Sequence, residues 1–230
     1  FVSGKYYLEG NVPFPPTPPH MNVCVLTPGL ENPRRTAASL ASQGVTAVET
    51  APRFFHANDA TEARAVGEAF RAEGVDLYCL HAPFRGRNDL SAADDSQRAA
   101  SVNLIGELME KGATAGAKVV VVHPGDKLPE GIDEKAALQR TVQSLKDLAP
   151  RAENLGVRLA LENLPPGYPG SSGAVLLEVL RQVDSPALGL CFDSGHAHMT
   201  GRMAEHLKVM RDLIIHFHLH DNDGTRDKHL

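Results

Sequence analysis

The stretch GAKVVVVHPG, residues 116–125, decides the fold because it contains a strand together with both of its boundaries. The glycine that opens it is typical of the end of a helix. Four consecutive valines follow, and an apolar run without polar alternation indicates a parallel strand that is buried on both faces. His123 comes directly after the valines, so this buried strand ends in a polar side chain.

The same unit recurs along the chain from residue 21 onward. Gly44, Gly74 and Gly156 also end helical stretches and are followed at once by Val or Ala. Amphipathic segments lie between the apolar runs, among them residues 133–154, where Leu and Val recur at helical spacing. The predicted strands are residues 21–27, 45–50, 75–81, 117–123, 157–162, 187–193 and 213–220.

This alternation predicts an α/β fold with a parallel sheet. Its spacing of about 30 residues per unit suits a (β/α)8 TIM barrel, which needs roughly 31. A doubly wound sheet is the alternative, but the segment LTPGLENP after the first strand is not a glycine-rich phosphate loop. A closed barrel wall needs eight strands. We therefore expect a barrel that lacks its eighth strand–helix unit in this chain, with strands one and seven facing each other across a gap.

Composition sets the broad class of the protein. A chain of 230 residues with 42% hydrophobic and 22% charged residues fits one soluble domain, which we place at residues 21–230 after a proline-rich extension at 1–20. The net charge of −5 argues against a general nucleic-acid binder. Three cysteines in apolar runs indicate reduced thiols and a cytoplasmic location. No run is long enough to span a membrane.

The predicted strands end in side chains that bind metals. In a TIM barrel these ends converge on one mouth, where the chemistry takes place. Imidazoles and carboxylates are ligands of zinc and manganese, and carboxylates packed closely together need a cation to offset their repulsion. The sequence therefore predicts a metal site with one to three divalent ions. The polar side chains at or just beyond these strand ends are Glu49, His81, His123, Glu162, Asp193, His196, His218, Asp227 and His229.

The last of these strands belongs to the segment IIHFHLHDNDGTRDKHL, residues 214–230. Its alternation places His216, His218 and His220 on one face of a strand and the apolar residues on the other. His220 lies near the mouth without an evident partner. Glu49, at the end of strand two, and His56, in the loop after it, are predicted substrate contacts.

The ordered motifs HAPF, VVHPG, LEN, FDSGHAHMTG and HLHDNDGTRDKH resemble those of the xylose isomerase-like TIM-barrel superfamily. This superfamily includes sugar phosphate isomerases and epimerases, and the endonuclease IV type of AP endonuclease. The resemblance covers roughly residues 75–230. It implies that the metal-binding positions are His81, His123, Glu162, Asp193, His196, His218, Asp227 and His229. In the epimerase branch it further implies one ion bound at Glu162, Asp193 and His218, and a glutamate from strand eight beyond Leu230.

The resemblance implies a divalent-metal sugar isomerase or epimerase that works by proton transfer next to a carbonyl, through an enediolate. Glu162 would be the base, and His196 would orient a substrate oxygen or bind a second metal. The alternative is metal-dependent phosphodiester hydrolysis at abasic DNA, and a metal-free binding module is a third class. We expect a small sugar as partner, with no nucleic acid and no membrane, and we consider a homodimer.

Overall fold

The computed structural model describes residues 24–27, 32–51 and 59–229, with the first range described by its backbone alone. The predicted extension at residues 1–20 lies outside these ranges, and so does His56. Within them, none of the helices is long and apolar enough to cross a lipid bilayer.

Seven parallel strands form one sheet in the order of the chain, β1 to β7. A doubly wound sheet would reverse its strand order part-way along, so the sequential order identifies a partial (β/α)8 barrel. The described strands do not pair β7 with β1. The predicted strands were correct in type and order. The start of the first, at residues 21–23, lies outside the described residues, and the ends of the other six extended up to two residues too far. The strands are β1 Cys24–Thr27, β2 Ala47–Thr50, β3 Asp76–His81, β4 Val119–Val122, β5 Arg158–Glu162, β6 Leu188–Asp193 and β7 Ile214–His218.

Helices connect each strand to the next. The left-handed residues Gly116 and Gly156 end the third and fourth helices, as their positions in the sequence predicted. The short sixth helix was not predicted; it forms because the Asp193 side chain accepts a hydrogen bond from the backbone N–H of His196. The helices are α1 Pro33–Ser42, α2 Ala60–Ala72, α3 Asp95–Ala115, α4 Glu134–Leu155, α5 Gly173–Val183, α6 Ser194–Met199 and α7 Met203–Met210.

Alternate strand residues divide the core into two parts. One set, including Val120, Leu159 and Leu190, packs in the large core cluster with the helices. The other set forms a small separate cluster of Cys79, Val119, Val121, Ala160 and Cys191. Inward-facing and outward-facing residues alternate along every barrel strand, so the small cluster occupies the barrel interior. The polar strand ends lie above this layer of small side chains.

Candidate metal centre

The carboxyl ends of the strands open into one cavity of about 1080 Å³. All eight predicted metal ligands line it, and Glu49 does so as well. The structure thus brings these side chains to one surface, and their role as metal ligands stays a prediction. His216, His220 and the aromatic side chains of Phe84 and Tyr168 also line the cavity.

Glu162, at the end of β5, is the central residue of the site and is only 1% exposed. Its Oε2 atom lies 3.4 Å from Nε2 of His81 and 3.1 Å from Nε2 of His123. Its Oε1 atom lies 3.1 Å from Nδ1 of His218 and 3.4 Å from Nδ1 of His196. The ends of β3, β4 and β7 and the helix α6 therefore each direct an imidazole at one buried carboxylate.

The donor pattern around Glu162 fits a cation better than a set of hydrogen bonds. Nδ1 of His81 lies 2.8 Å from the carbonyl oxygen of Ala82, which can only accept, so Nδ1 donates and Nε2 presents a lone pair to Glu162 in the neutral ring. Oε2 of Glu162 is buried and has no hydrogen-bond partner among the described residues. Donor atoms about 3.3–3.4 Å apart are expected around a tetrahedral ion with bonds of roughly 2.0–2.1 Å. The residues present therefore fit a divalent ion.

Asp193, at the end of β6, joins the same group. Its Oδ2 atom lies 3.6 Å from Nδ1 of His218. Its backbone is fixed by the amide of Asn163, which accepts from the Asp193 N–H at 2.8 Å and donates to the Asp193 carbonyl at 3.0 Å. Glu162, Asp193 and His218 thus converge, as the sequence predicted. Their joint coordination of one ion stays a prediction.

The electrostatics of this cluster follow from burial and from opposed charges. Burial would raise the pKa of Glu162, but the imidazoles of His123 and His218 outweigh it and hold that pKa well below the ordinary range. Burial would lower the pKa of His218, but its interactions with Cys191, Asp193 and Glu162 raise it instead. For His123 burial prevails, and its pKa is lowered. Glu162 is consequently an ionised carboxylate.

Glu49, on β2, reaches across the barrel interior to β7. Its Oε2 atom lies 2.9 Å from Nε2 of His216 and 3.2 Å from Nε2 of His218. Burial would raise the pKa of Glu49, but these two imidazoles hold it well below the usual value. The Glu49–His216 pair was not foreseen, although the alternation of β7 correctly placed His216 on the inner face. The role of Glu49 as a substrate contact stays a prediction.

The remaining ligand candidates form an outer group on the loop after β7 and on α6. Nε2 of His196 lies 3.5 Å from Oδ2 of Asp227, and Nε2 of His229 lies 3.7 Å from Oδ1 of Asp227. The His229 side chain is 70% exposed, so it lies at the rim of the cavity. His220, to which the sequence assigned no partner, has its Nε2 atom 3.0 Å from Oδ1 of Asp193. Asp193, His196 and His220 together form a further group that could hold an ion.

Comparison with known proteins identifies the family. A sequence model described as the xylose isomerase-like TIM barrel matches residues 37–230, which is most of the chain. The chain belongs to the xylose isomerase-like TIM-barrel family. Proteins similar to this chain include a D-tagatose 3-epimerase-like protein and a "Probable endonuclease 4".

Individual relatives within the xylose isomerase-like family differ in function. Uncharacterized protein MJ1311 of Methanocaldococcus jannaschii is 35% identical over 158 residues, covering 66% of this chain and 53% of the relative. The "Probable endonuclease 4" of Staphylococcus saprophyticus is 28% identical, covering 58% of this chain and 45% of the relative. The crystal structure of a D-tagatose 3-epimerase-like protein superposes with a TM-score of 0.74 and 30% identity, covering 84% of this chain and 73% of that one. The chain thus spans about half the length of these curated relatives.

Proposed function

We propose that the chain belongs to a divalent-metal-dependent isomerase or epimerase of small sugars, one that moves a proton on a carbon next to a carbonyl. One observation carries this proposal: the buried, ionised carboxylate of Glu162 lies on the wall of a cavity of about 1080 Å³ and is surrounded by imidazoles. A cavity of this size suits a small molecule. The solved D-tagatose 3-epimerase-like relative supports the same class of substrate.

The metal ligands in this proposal are Glu162, Asp193 and His218, with His81 and His123 completing the surroundings of Glu162. A divalent ion bound there would act as a Lewis acid on the carbonyl and the adjacent hydroxyl of an open-chain sugar. The nitrogen and oxygen donors suit zinc and manganese alike.

Glu162 would accept the proton from the carbon next to the carbonyl and return it. Its low pKa keeps it ionised and ready to accept, although it also makes the carboxylate a weaker base. Glu49 and His56 would contact the substrate hydroxyls. His196 would orient a substrate oxygen or bind a second ion, since its Nδ1 is fixed by the carbonyl oxygen of Asn163 at 2.8 Å.

Apolar and aromatic side chains line the cavity beside the ligands. Phe84 stacks on His123 with 4.1 Å between the ring centroids, and Leu164, Pro165 and Tyr168 follow β5. Such a wall would exclude water from the reacting carbon while the polar ligands bind the sugar oxygens. The buried free thiols Cys79 and Cys191 support the cytoplasm as the location.

Hydrolysis at abasic DNA is the second candidate, and one observation favours it. All eight ligand positions are present and line the same cavity, as a multinuclear cluster would require. The endonuclease 4 relatives point the same way. The net charge of −5 argues against it, because a protein that binds DNA gains affinity from basic residues at the phosphates.

The test is exchange of carbon-bound hydrogen with deuterated water in a panel of ketoses, followed by NMR. We expect exchange with the metal-loaded wild type and a loss of about 100-fold or more in Glu162→Gln, because this change removes the base and weakens metal binding. Glu107→Gln, the same change at an exposed position of α3, is the matched control and should leave the rate unchanged. Undiminished exchange in Glu162→Gln would remove Glu162 as the base. Cleavage of an abasic-site oligonucleotide without sugar exchange would favour the second candidate.

A further inference from the structure

The lining of the cavity contains two groups of charged side chains. The carboxylates of Glu162, Asp193 and Asp227 belong to the ligand candidates. Among the described residues of the lining, Arg85 and Lys127 are the only arginine and lysine. They follow β3 and β4, whereas a phosphate site in a TIM barrel is frequently found after strands seven and eight. A metal centre accounts for the acidic group, but it gives the two basic side chains no role.

Arg85 has a backbone conformation that long side chains rarely adopt. Its φ is 80°, in the left-handed region that favours glycine. This conformation belongs to a tight turn, in which the backbone N–H of Asn88 donates to the carbonyl oxygen of Arg85 at 3.2 Å. Since glycine would form the same turn without the steric cost, the turn alone does not account for an arginine. Strained residues of this kind cluster at sites that bind ligands.

A row of aromatic rings links the guanidinium of Arg85 to the proposed metal centre. Its Cζ atom lies 5.2 Å from the centroid of the Phe84 ring, a distance typical of a cation–π contact. Phe84 in turn stacks on His123, with 4.1 Å between the ring centroids. Nε2 of His123 lies 3.1 Å from Oε2 of Glu162. The guanidinium is therefore two ring contacts away from an imidazole of the metal centre.

Asp126 joins the loop of Arg85 to the loop of Lys127. Its Oδ2 atom accepts from the backbone N–H of Gly86 at 2.9 Å, and its Oδ1 atom accepts from the backbone N–H of Lys127 at 2.7 Å. The loop after β5 approaches Lys127 from another side, since a Cβ atom at Gly167 would lie 3.8 Å from the Cε atom of Lys127. The two basic residues are thus direct neighbours of the contact that holds their loops together.

Neither Arg85 nor Lys127 has an acidic partner among the residues that the structure describes. Both are exposed, and the ion pairs of arginine and lysine in the described ranges involve other side chains. The carboxylate of Asp126 lies between the loops, but each of its oxygens already accepts a backbone N–H. Asp89, which accepts from the Asp126 N–H at 3.2 Å, lies outside the cavity lining. Two unpaired cations therefore face the space that a substrate would enter.

We propose that Arg85 and Lys127 bind an anionic group of the substrate, a phosphate or a carboxylate, at the end remote from the reacting carbon. Arginine recognises such a group with two parallel N–H donors, and lysine adds a compact point charge. The substrate is then an open-chain sugar that presents its carbonyl to the metal centre and its anion to the loops after β3 and β4. This inference rests on the proposed sugar chemistry, because it names the substrate of the same cavity.

The test is isothermal titration calorimetry of zinc-loaded protein with three panels of ligands: neutral ketoses, ketose phosphates and hexuronates. We expect the tightest anionic sugar to bind about 10-fold or more tighter than the tightest neutral one, because hydrogen bonds to charged groups contribute at least this factor. The double variant Arg85→Gly/Lys127→Met should lose this preference and keep its affinity for neutral ketoses. Glycine at position 85 adopts the observed φ without strain, so the variant should fold. Arg87→Met is the matched control, since Arg87 is exposed on the same loop but outside the cavity lining.

A preference for phosphates over hexuronates would assign a phosphate to the site, and the reverse would assign a carboxylate. Three outcomes would overturn the inference: no anionic preference in the wild type, a preference that survives in the double variant, or an equal loss in Arg87→Met. Tighter binding of an abasic-site oligonucleotide than of every anionic sugar would also overturn it. Because calorimetry measures binding without turnover, such results leave the exchange assay on Glu162→Gln as a separate test of the sugar chemistry.

Discussion

At the scale of single residues, the sequence predicted which side chains meet but not how they are oriented. Glu162, Asp193 and His218 could be predicted because strand ends converge in a barrel. The Glu49–His216 contact could not be predicted from the sequence. It joins residues 167 positions apart across the barrel interior, and it depends on the curvature of the sheet. His220 was on the correct face in the alternation, but its partner Asp193 lies on another strand.

Glu49 provides a residue-scale prediction. It accepts from Nε2 of His218, which leaves Nδ1 of that ring directed at Glu162 and Asp193. Such an outer contact fixes the ring, and its loss typically weakens metal binding 10–100-fold. We expect that loss for Glu49→Leu and a smaller one for Glu49→Gln, which keeps an acceptor oxygen. Competition with a chelating dye measures both affinities, and equal affinities in wild type and Glu49→Leu would refute the positioning role.

The buried cysteines provide a second prediction about single residues. Cys79 and Cys191 are fully buried, and burial raises the pKa of Cys191 to about 12. Since the thiolate is the reactive form, neither should react with Ellman's reagent in the native state, and both should react once the chain is unfolded. A Cys24→Ser background restricts the measurement to these two thiols. Rapid release of the yellow thiolate from native protein would show that the barrel interior opens.

At the scale of elements, the alternation of strands and helices could be read from local patterns alone. Buried parallel strands such as Val119–Val122 are nearly continuous apolar runs, and glycines end the helices before them. Helix α6 was missed because its six residues, SGHAHM, lack helical periodicity, and it forms through the cap at Asp193. Such a helix forms only where the end of a strand supplies its capping residue. A local sequence pattern does not show where that strand ends.

Packing of α2 on α3 gives a prediction at this scale. A Cβ atom at Gly67 would collide with the backbone carbonyl of Ala115, whereas one at Gly106 would meet only the movable end of the Arg151 side chain. We expect Gly67→Ala to lower the free energy of unfolding by about 1–3 kcal/mol through overpacking. Gly106→Ala is the matched control, since both changes favour the helix itself. Urea unfolding measures the difference, and equal midpoints would contradict this account of the helix contact.

At the scale of the whole molecule, the fold brings eight ligand candidates from five strands and their loops to a single cavity. A parallel sheet in sequential order achieves this because every strand ends at the same mouth. The order of polar strand ends in the sequence predicts this arrangement. It does not predict the division of the ligands into a group around Glu162 and a group around His220, because that division depends on distances of a few ångströms between side chains.

The carboxylate of Glu162 and the imidazoles around it are proposed to bind a divalent metal. The metal content of purified, dialysed protein, measured by elemental analysis for the wild type and Glu162→Gln side by side, tests this proposal. We expect at least one zinc or manganese ion per chain in the wild type and one fewer in the variant, with both proteins folded by circular dichroism. A metal-free wild type after growth and purification with added zinc and manganese, or an unchanged ion count in folded Glu162→Gln, would contradict it.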